Sequence, residues 1–168
     1  DAERIVGLEQ AAAAAGLGVE RRILDLTGVA LHALARSPGL RRLAVVDAGA
    51  GGLGVGIYRV ADRRLVLEGV AGEWVHSDDP QRLLEAVEGS AWFALERAGR
   101  GALDALVLAG GRARTPGLRA VVESSFGQRS SEGFAPPGAV ALGAAILAYC
   151  LTRGARGVAG SEERRVGK

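Results

Sequence analysis

A chain of 168 residues with 48% hydrophobic content is long enough for one domain with a real core. Its single cysteine, Cys150, excludes an internal disulfide and argues against structural zinc, and no apolar run reaches the roughly 18 residues of a membrane span. The formal charge of +2 is uneven: residues 153–168 carry a net +3, so the basic pI belongs mainly to the tail, and no basic face interleaved with aromatics points to nucleic acid.

The chain opens "DAERIVGLEQ", with neither a Met nor a charged segment leading into an apolar stretch. A fragment or processed product is expected, in a reducing, cytoplasmic setting. Residues 2–16 are rich in Ala, Leu and Glu and close on Gly16, which predicts a helix with a glycine C-cap. "VERRILDL" predicts a short strand. "TGVALHALARS" predicts a helix capped by Thr27 and ending before Pro38. The runs "LAVVDAG", "GVGIYRV" and "RLVLEGVAGEW" are joined by short turns, which predicts a three-stranded antiparallel meander.

"DPQRLLEAVEGSAWFALERAG" then predicts a long helix, with Asp79 as N-cap and Pro80 as first residue. "LDALVLAGG" reads as a buried strand ending in two glycines. "TPGLRAVVESSFG" predicts a helix opened by Thr115 and Pro116 and ended by Gly127. In "PPGAVALGAAILAYCLTRG" the small residues Ala141, Ala144, Ala145 and Ala148 predict a helix face that packs closely on a sheet. The order β-β-β-α-β-α-α from Leu43 makes an α/β layer sandwich rather than a doubly wound dinucleotide fold. The tail from residue 155 to 168 has no apolar periodicity and is expected to be disordered.

Two glycine turns could carry chemistry. In "DAGAGG", Asp47 to Gly52, glycines allow backbone N–H groups to approach an anion, and Asp47 could hold a divalent ion or its water. Alone, the same residues fit a tight hairpin better. In "LAGGRARTPGL" a strand ends in Gly110-Gly111 before a helix start, where Arg112 or Arg114 could stack on a base or pair with a phosphate. The bland alternative is a strand-to-helix turn with solvated arginines. The remaining candidates weigh less. His32 reads as a packed or half-exposed surface residue, His76 as part of a polar turn, and Ser124, Ser125, Ser130 and Ser131 lack a partnered base. Cys150 reads as a small core residue, Trp74 and Trp92 as packing residues, and Glu85, Glu88 and Arg82 as a solvated helix face.

The order of these motifs carries a resemblance. "LAVVDAGAGGLGVGIYRV" resembles the second phosphate-binding hairpin of the actin-like ATPases, and of the DnaK-type seventy-kilodalton heat-shock chaperones most closely. "LDALVLAGGRARTPGLRAVVESSFG" resembles that family's adenosine-side strand, double glycine and helix, and "APPGAVALGAAILAYCLTRG" its closing helix, including Gly143. "DAER" and "AAGLGVERRILDLTGVALHALA" resemble the segment just before the hairpin, so the likeness spans residues 1–154.

It implies an actin-like ATPase (ribonuclease H-like) lobe, its meander extended by a further strand and packed by helices. Residues 1–40 would end a first-lobe-like segment, and residues 41–154 would form a second lobe lacking the upper subdomain. The implied cofactors are ATP or ADP and Mg²⁺. Asp47, Asp25 and Thr27 would be the catalytic-side residues, with Mg²⁺ held at Asp47 through water. Gly49, Ala50, Gly51, Gly52, Gly110, Gly111, Arg112 and Arg114 would bind nucleotide. Client or co-chaperone proteins would be partners of the full-length protein, with no nucleic acid and no membrane.

The chain departs from the family pattern at several of these places. Gly52 and Gly54 stand where the family has Thr and an acidic residue, and Ala50 replaces the middle glycine. Asp25-Leu26-Thr27 replaces Glu-Pro-Thr, and Pro137-Gly138 replaces an acidic pair. An ATP-binding lobe with weak hydrolysis is one reading. The other is a nucleotide-independent scaffold of the division or pilus-assembly kind.

Overall fold

The computed structural model describes residues 2–50, 52–62, 64–75, 79–131, 135–152 and 159–160. Helix α1 (Ala2–Ala14) ends as its composition predicts: Gly16 takes φ +74°, the Gly16 amide donates to Ala13 and the Leu17 amide to Ala12. These two bonds satisfy carbonyls that the helix end would otherwise orphan. Residues 17–24 form no strand, contrary to the expectation for "VERRILDL". No strand among the described residues pairs with them, and an extended segment without a ladder gains nothing from β-propensity.

Helix α2 (Asp25–Arg36) starts two residues before the expected cap, with Leu24 at the N-cap position. Thr27 lies inside the first turn, and its buried hydroxyl shares a 3.0 Å hydrogen bond with that of Tyr58. The competing partner across the interface thus overrides the capping preference.

The predicted meander is present as β1 (Arg42–Ala48), β2 (Leu53–Ala61) and β3 (Arg64–Glu73), all antiparallel. Asp62, at φ +49°, makes the second turn. Helix α3 (Pro80–Ala98) is the one helix described between β3 and β4, and Asp79 caps it by accepting from the Gln81 amide at 2.9 Å. Strand β4 (Ala105–Ala109) then pairs parallel with β1, which gives the order β4-β1-β2-β3. Residues Ala159–Gly160 (β5) add a short parallel pairing to the far edge of β3. The rest of the expected tail lies outside the described residues.

After β4 a four-residue 3₁₀ turn (Gly111–Arg114) precedes α4 (Leu118–Phe126), whose N-cap is the left-handed Gly117. Thr115 and Pro116 are therefore the turn into the helix, not its first residues. Gly127 ends α4 in the left-handed conformation, as expected. Helix α5 (Ala139–Thr152) closes the fold.

Helices cover both faces of the sheet. Ala44, Val46, Ala48, Val55, Ile57, Leu106 and Leu108 pack towards α3 and α4 in one cluster, while Leu43, Val45, Tyr58, Ala105 and Ala109 pack towards α2 and α5 in the other. The alternation along β1 puts Asp47 on the α2 side, in phase with Leu43 and Val45. Helix α5 meets α2 rather than the sheet, through Ala139, Gly143 and Leu147. Ala141, Ala144, Ala145 and Ala148 face outwards, which corrects the expected packing face. The crossing is a backbone contact: a methyl group on Gly143 would strike the Gly28 carbonyl, and one on Gly28 would come 2.7 Å from the Val140 carbonyl.

Candidate functional site

Asp47 is the last charged residue of β1, and its strand neighbours define the site. It pairs with Gly54 of β2 on one side and Ala109 of β4 on the other. A cleft opens on each side, and Asp47 lines both. Burial first, and then the negative charge of Asp25, raise its carboxyl above the ordinary carboxylate value of 3.8.

The cleft on the β4 side has a volume of about 360 Å³. Its floor is Gly110 and Gly111, its walls are Val29, Val140, Pro136 and Pro137, and Arg114 is its cation. Gly110 is required there. It has φ +87°, and any side chain would run into the Ala48 carbonyl and the Asp47 carboxylate. Gly111 is different, since a Cβ there would meet open space. The proline wall is fixed by the sheet edge: the Ser131 and Ala135 amides donate to Leu106 and Leu108 of β4, at 2.8 and 2.7 Å. Arg112 does not line this cleft; its guanidinium donates to the Val75 carbonyl at 3.0 Å and straps the turn to the meander. The turn is 3₁₀ and α4 begins seven residues after Gly111. The expected helix N-terminus directly past the double glycine is therefore not formed.

The hairpin-side cleft, about 530 Å³, is lined by Asp25, Asp47, Gly49, Ala50, Gly52, Gly54 and Glu73, with apolar walls from Leu24, Leu26, Leu53 and Trp74. Gly51 lies outside the described residues, as does His76. The Gly49 amide donates to the Gly52 carbonyl at 2.9 Å, so this N–H closes the turn. Trp74 is half exposed and borders Gly52, where a Cβ would meet its ring at 3.6 Å. It is a wall of the cleft rather than the packing residue expected; Trp92 is equally exposed and stacks edge-on with Phe93. Leu26 covers Gly54 so closely that a Cβ there would lie 3.2 Å from its Cδ1.

The structure thus brings Asp47, Asp25, Gly49, Ala50 and Gly52 to one cleft, and Asp47, Gly110, Gly111 and Arg114 to the other. Thr27 and Arg112 line neither. Glu73 was missed although the sequence carried a signal for it: a meander places the end of β3 opposite the start of β2, and Glu73 pairs with Leu53. The proline wall and Val29 gave no local signal, because only tertiary folding brings them to Gly110. His32 and Cys150 are half-buried, and Glu85, Glu88 and Arg82 are exposed as expected.

Among the described residues no group of three His, Cys, Asp or Glu side chains could hold a metal, and no helix is long and apolar enough to cross a membrane. Residues 81–159 match the family model described as Hsp70 protein, a span that includes Gly110, Gly111, Arg114 and Gly143 and begins after the hairpin. With the α/β sheet and its order of elements, that match over somewhat less than half of the chain supports a divergent, partial Hsp70-type ATPase domain fragment.

Proposed function

We propose that this chain is the nucleotide-binding portion of a divergent chaperone-like ATPase whose hydrolysis is weak. The observation that carries the reading is Asp47 standing in two clefts at once, between a glycine hairpin and the Gly110-Gly111 turn. The flat, mostly apolar walls beside Gly110 suit a base and ribose, and Arg114 suits stacking or a phosphate. Phosphates would then run towards the hairpin. The donor set there fits Mg²⁺ held largely through its own waters, since Asp47 and Asp25 offer charge to one cleft without a full protein cage. Bound Mg²⁺ would supply charge neutralisation at the transferring phosphate.

Weak hydrolysis is supported by what the chain lacks around Asp47. Gly52 and Gly54 offer no hydroxyl or carboxylate, and Thr27 spends its hydroxyl on Tyr58. Each tenfold of lost rate corresponds to about 1.4 kcal/mol. Client or co-chaperone proteins are the partners this reading implies for a longer protein.

Thermal melting tests it. Mg-ADP or Mg-ATP at 100 times its Kd should stabilise by about 2.7 kcal/mol, or about 5–10 °C for a domain of this size. Gly111→Val should leave the ligand-free melting temperature unchanged and remove the shift, because its side chain enters the open cleft. No shift at millimolar nucleotide would overturn the reading. That result would favour the nucleotide-independent scaffold, to which the internally bonded Gly49 amide gives some support.

A further inference from the structure

We propose that the outward face of α3 is a dimerisation surface, on which the same helix of a second copy of this chain docks antiparallel about a two-fold axis. The inference does not rest on the nucleotide reading. Both clefts draw on Asp47, on the α2 side of the sheet, whereas α3 covers the other side.

Trp92 and Phe93 are 51% and 56% exposed, and their rings meet edge-on with centroids 4.9 Å apart. Two adjacent aromatics left in water form an apolar patch, and aromatic residues are enriched in protein interfaces. Gly89 stands one turn earlier, at i−3 from one ring and i−4 from the other, so it neighbours both on the helix surface. It is exposed, and a Cβ there would meet nothing within 4 Å. Glycine in a helix interior is destabilising relative to alanine, and no packing within the protomer calls for this one. It leaves an open notch beside the two rings.

The charges on either side of the notch select its occupant. Arg82 and Glu85 lie before it and Glu96 and Arg97 beyond the rings; all four are exposed, and none makes an ion pair among the described residues. A two-fold axis at the level of Ser90 sets Arg82 of one copy near Glu96 of the other, and Glu85 near Arg97. Each pair is offset by about 3 Å along the helix, two residues of rise. Each end of the pairing then holds two arginines and two carboxylates, a neutral quartet. The same axis lays Trp92 and Phe93 over Gly89 of the second copy. Parallel helices would set Arg82 beside Arg82 and Glu96 beside Glu96, so the charge pattern rejects that arrangement. Glu88 has no cation opposite it, and one helix face per copy is a small interface, so the dimer is weak and concentration-dependent.

Sedimentation velocity on the 168-residue chain tests this over about 5–500 μM, a range that brackets a Kd of tens of micromolar. The mean mass should rise from that of a monomer towards that of a dimer. Gly89→Gln should raise the melting temperature and yet weaken the dimer at least about tenfold, a combination that a purely structural glycine does not give. Glu85→Arg or Arg97→Glu alone should weaken it at least about fivefold, and the double variant should return to within about twofold of the unaltered chain. A chain that stays monomeric at the highest concentration would overturn the inference. So would a dimer that Gly89→Gln and the charge reversals leave unchanged, because another face would then form it.

Discussion

Asp47 has a stability consequence that is separate from binding. Its folded-state carboxyl titrates above its ordinary value, so between the two values the folded state holds more proton than the unfolded state. The protein is therefore favoured at low pH with respect to this group, and loses that stability as pH rises through the raised value. Asp47→Asn should raise the melting temperature at pH 7, and the gain should vanish below about pH 3.8, as melting curves against pH would reveal. A second residue-scale prediction concerns Gly54. Leu26 occupies the space beside it, so Gly54→Asp should destabilise by about 1–3 kcal/mol through crowding and a partly buried charge. Urea unfolding would measure this. Asp47 and both glycine turns were legible in the sequence because strand ends and Gly-rich turns are local signals. The burial of Thr27 was not, since its partner Tyr58 lies 31 residues away.

At the scale of elements, capping chemistry was read correctly where the cap acts alone and incorrectly where packing competes. Asp79 and Gly127 behave as local rules dictate, whereas Thr27 and Thr115 do not. The closing helix gives the plainest case. A stripe of alanines invites the inference of close packing, yet the closest approach uses the single Gly143 against Gly28. Gly143→Ala should cost about 2–3 kcal/mol, whereas Ala144→Ser, on the exposed side, should stay within about 0.5 kcal/mol. Chemical denaturation of both variants checks the contrast.

The strands are tied at the end away from the site. Asp104 accepts backbone N–H bonds from Arg41 and Arg42 at 2.6 and 2.8 Å, and these bonds hold its carboxyl below the usual value. Arg42 pairs with Glu68 at 2.9 Å and donates to the Ala98 and Gly99 carbonyls, which joins β1, β3 and the end of α3. Asp104→Ala should lower the melting temperature at pH 7, with the deficit shrinking as acid protonates the wild-type carboxylate.

For the whole molecule, the sequence order identified a meander followed by helix, strand and helices, because short turns and hydrophobic period are contiguous features. What it did not reveal is which strand β4 joins. Parallel pairing with β1 depends on contacts across some sixty residues, and the α2–α5 crossing on contacts across more than a hundred. The proline wall, the Gly110 floor and the Asp47 strand end are therefore brought together only by the complete fold.

That dispersal bears on the order of events in folding. The cleft beside Gly110 draws its lining from α2, β1, the turn after β4 and the start of α5, so a chain that has not yet docked α5 has no binding-competent surface. A ligand held there acts as a latch on the finished structure and gives no help to the nucleus. In stopped-flow experiments it should slow unfolding roughly in proportion to ligand concentration above Kd, and leave the refolding rate untouched.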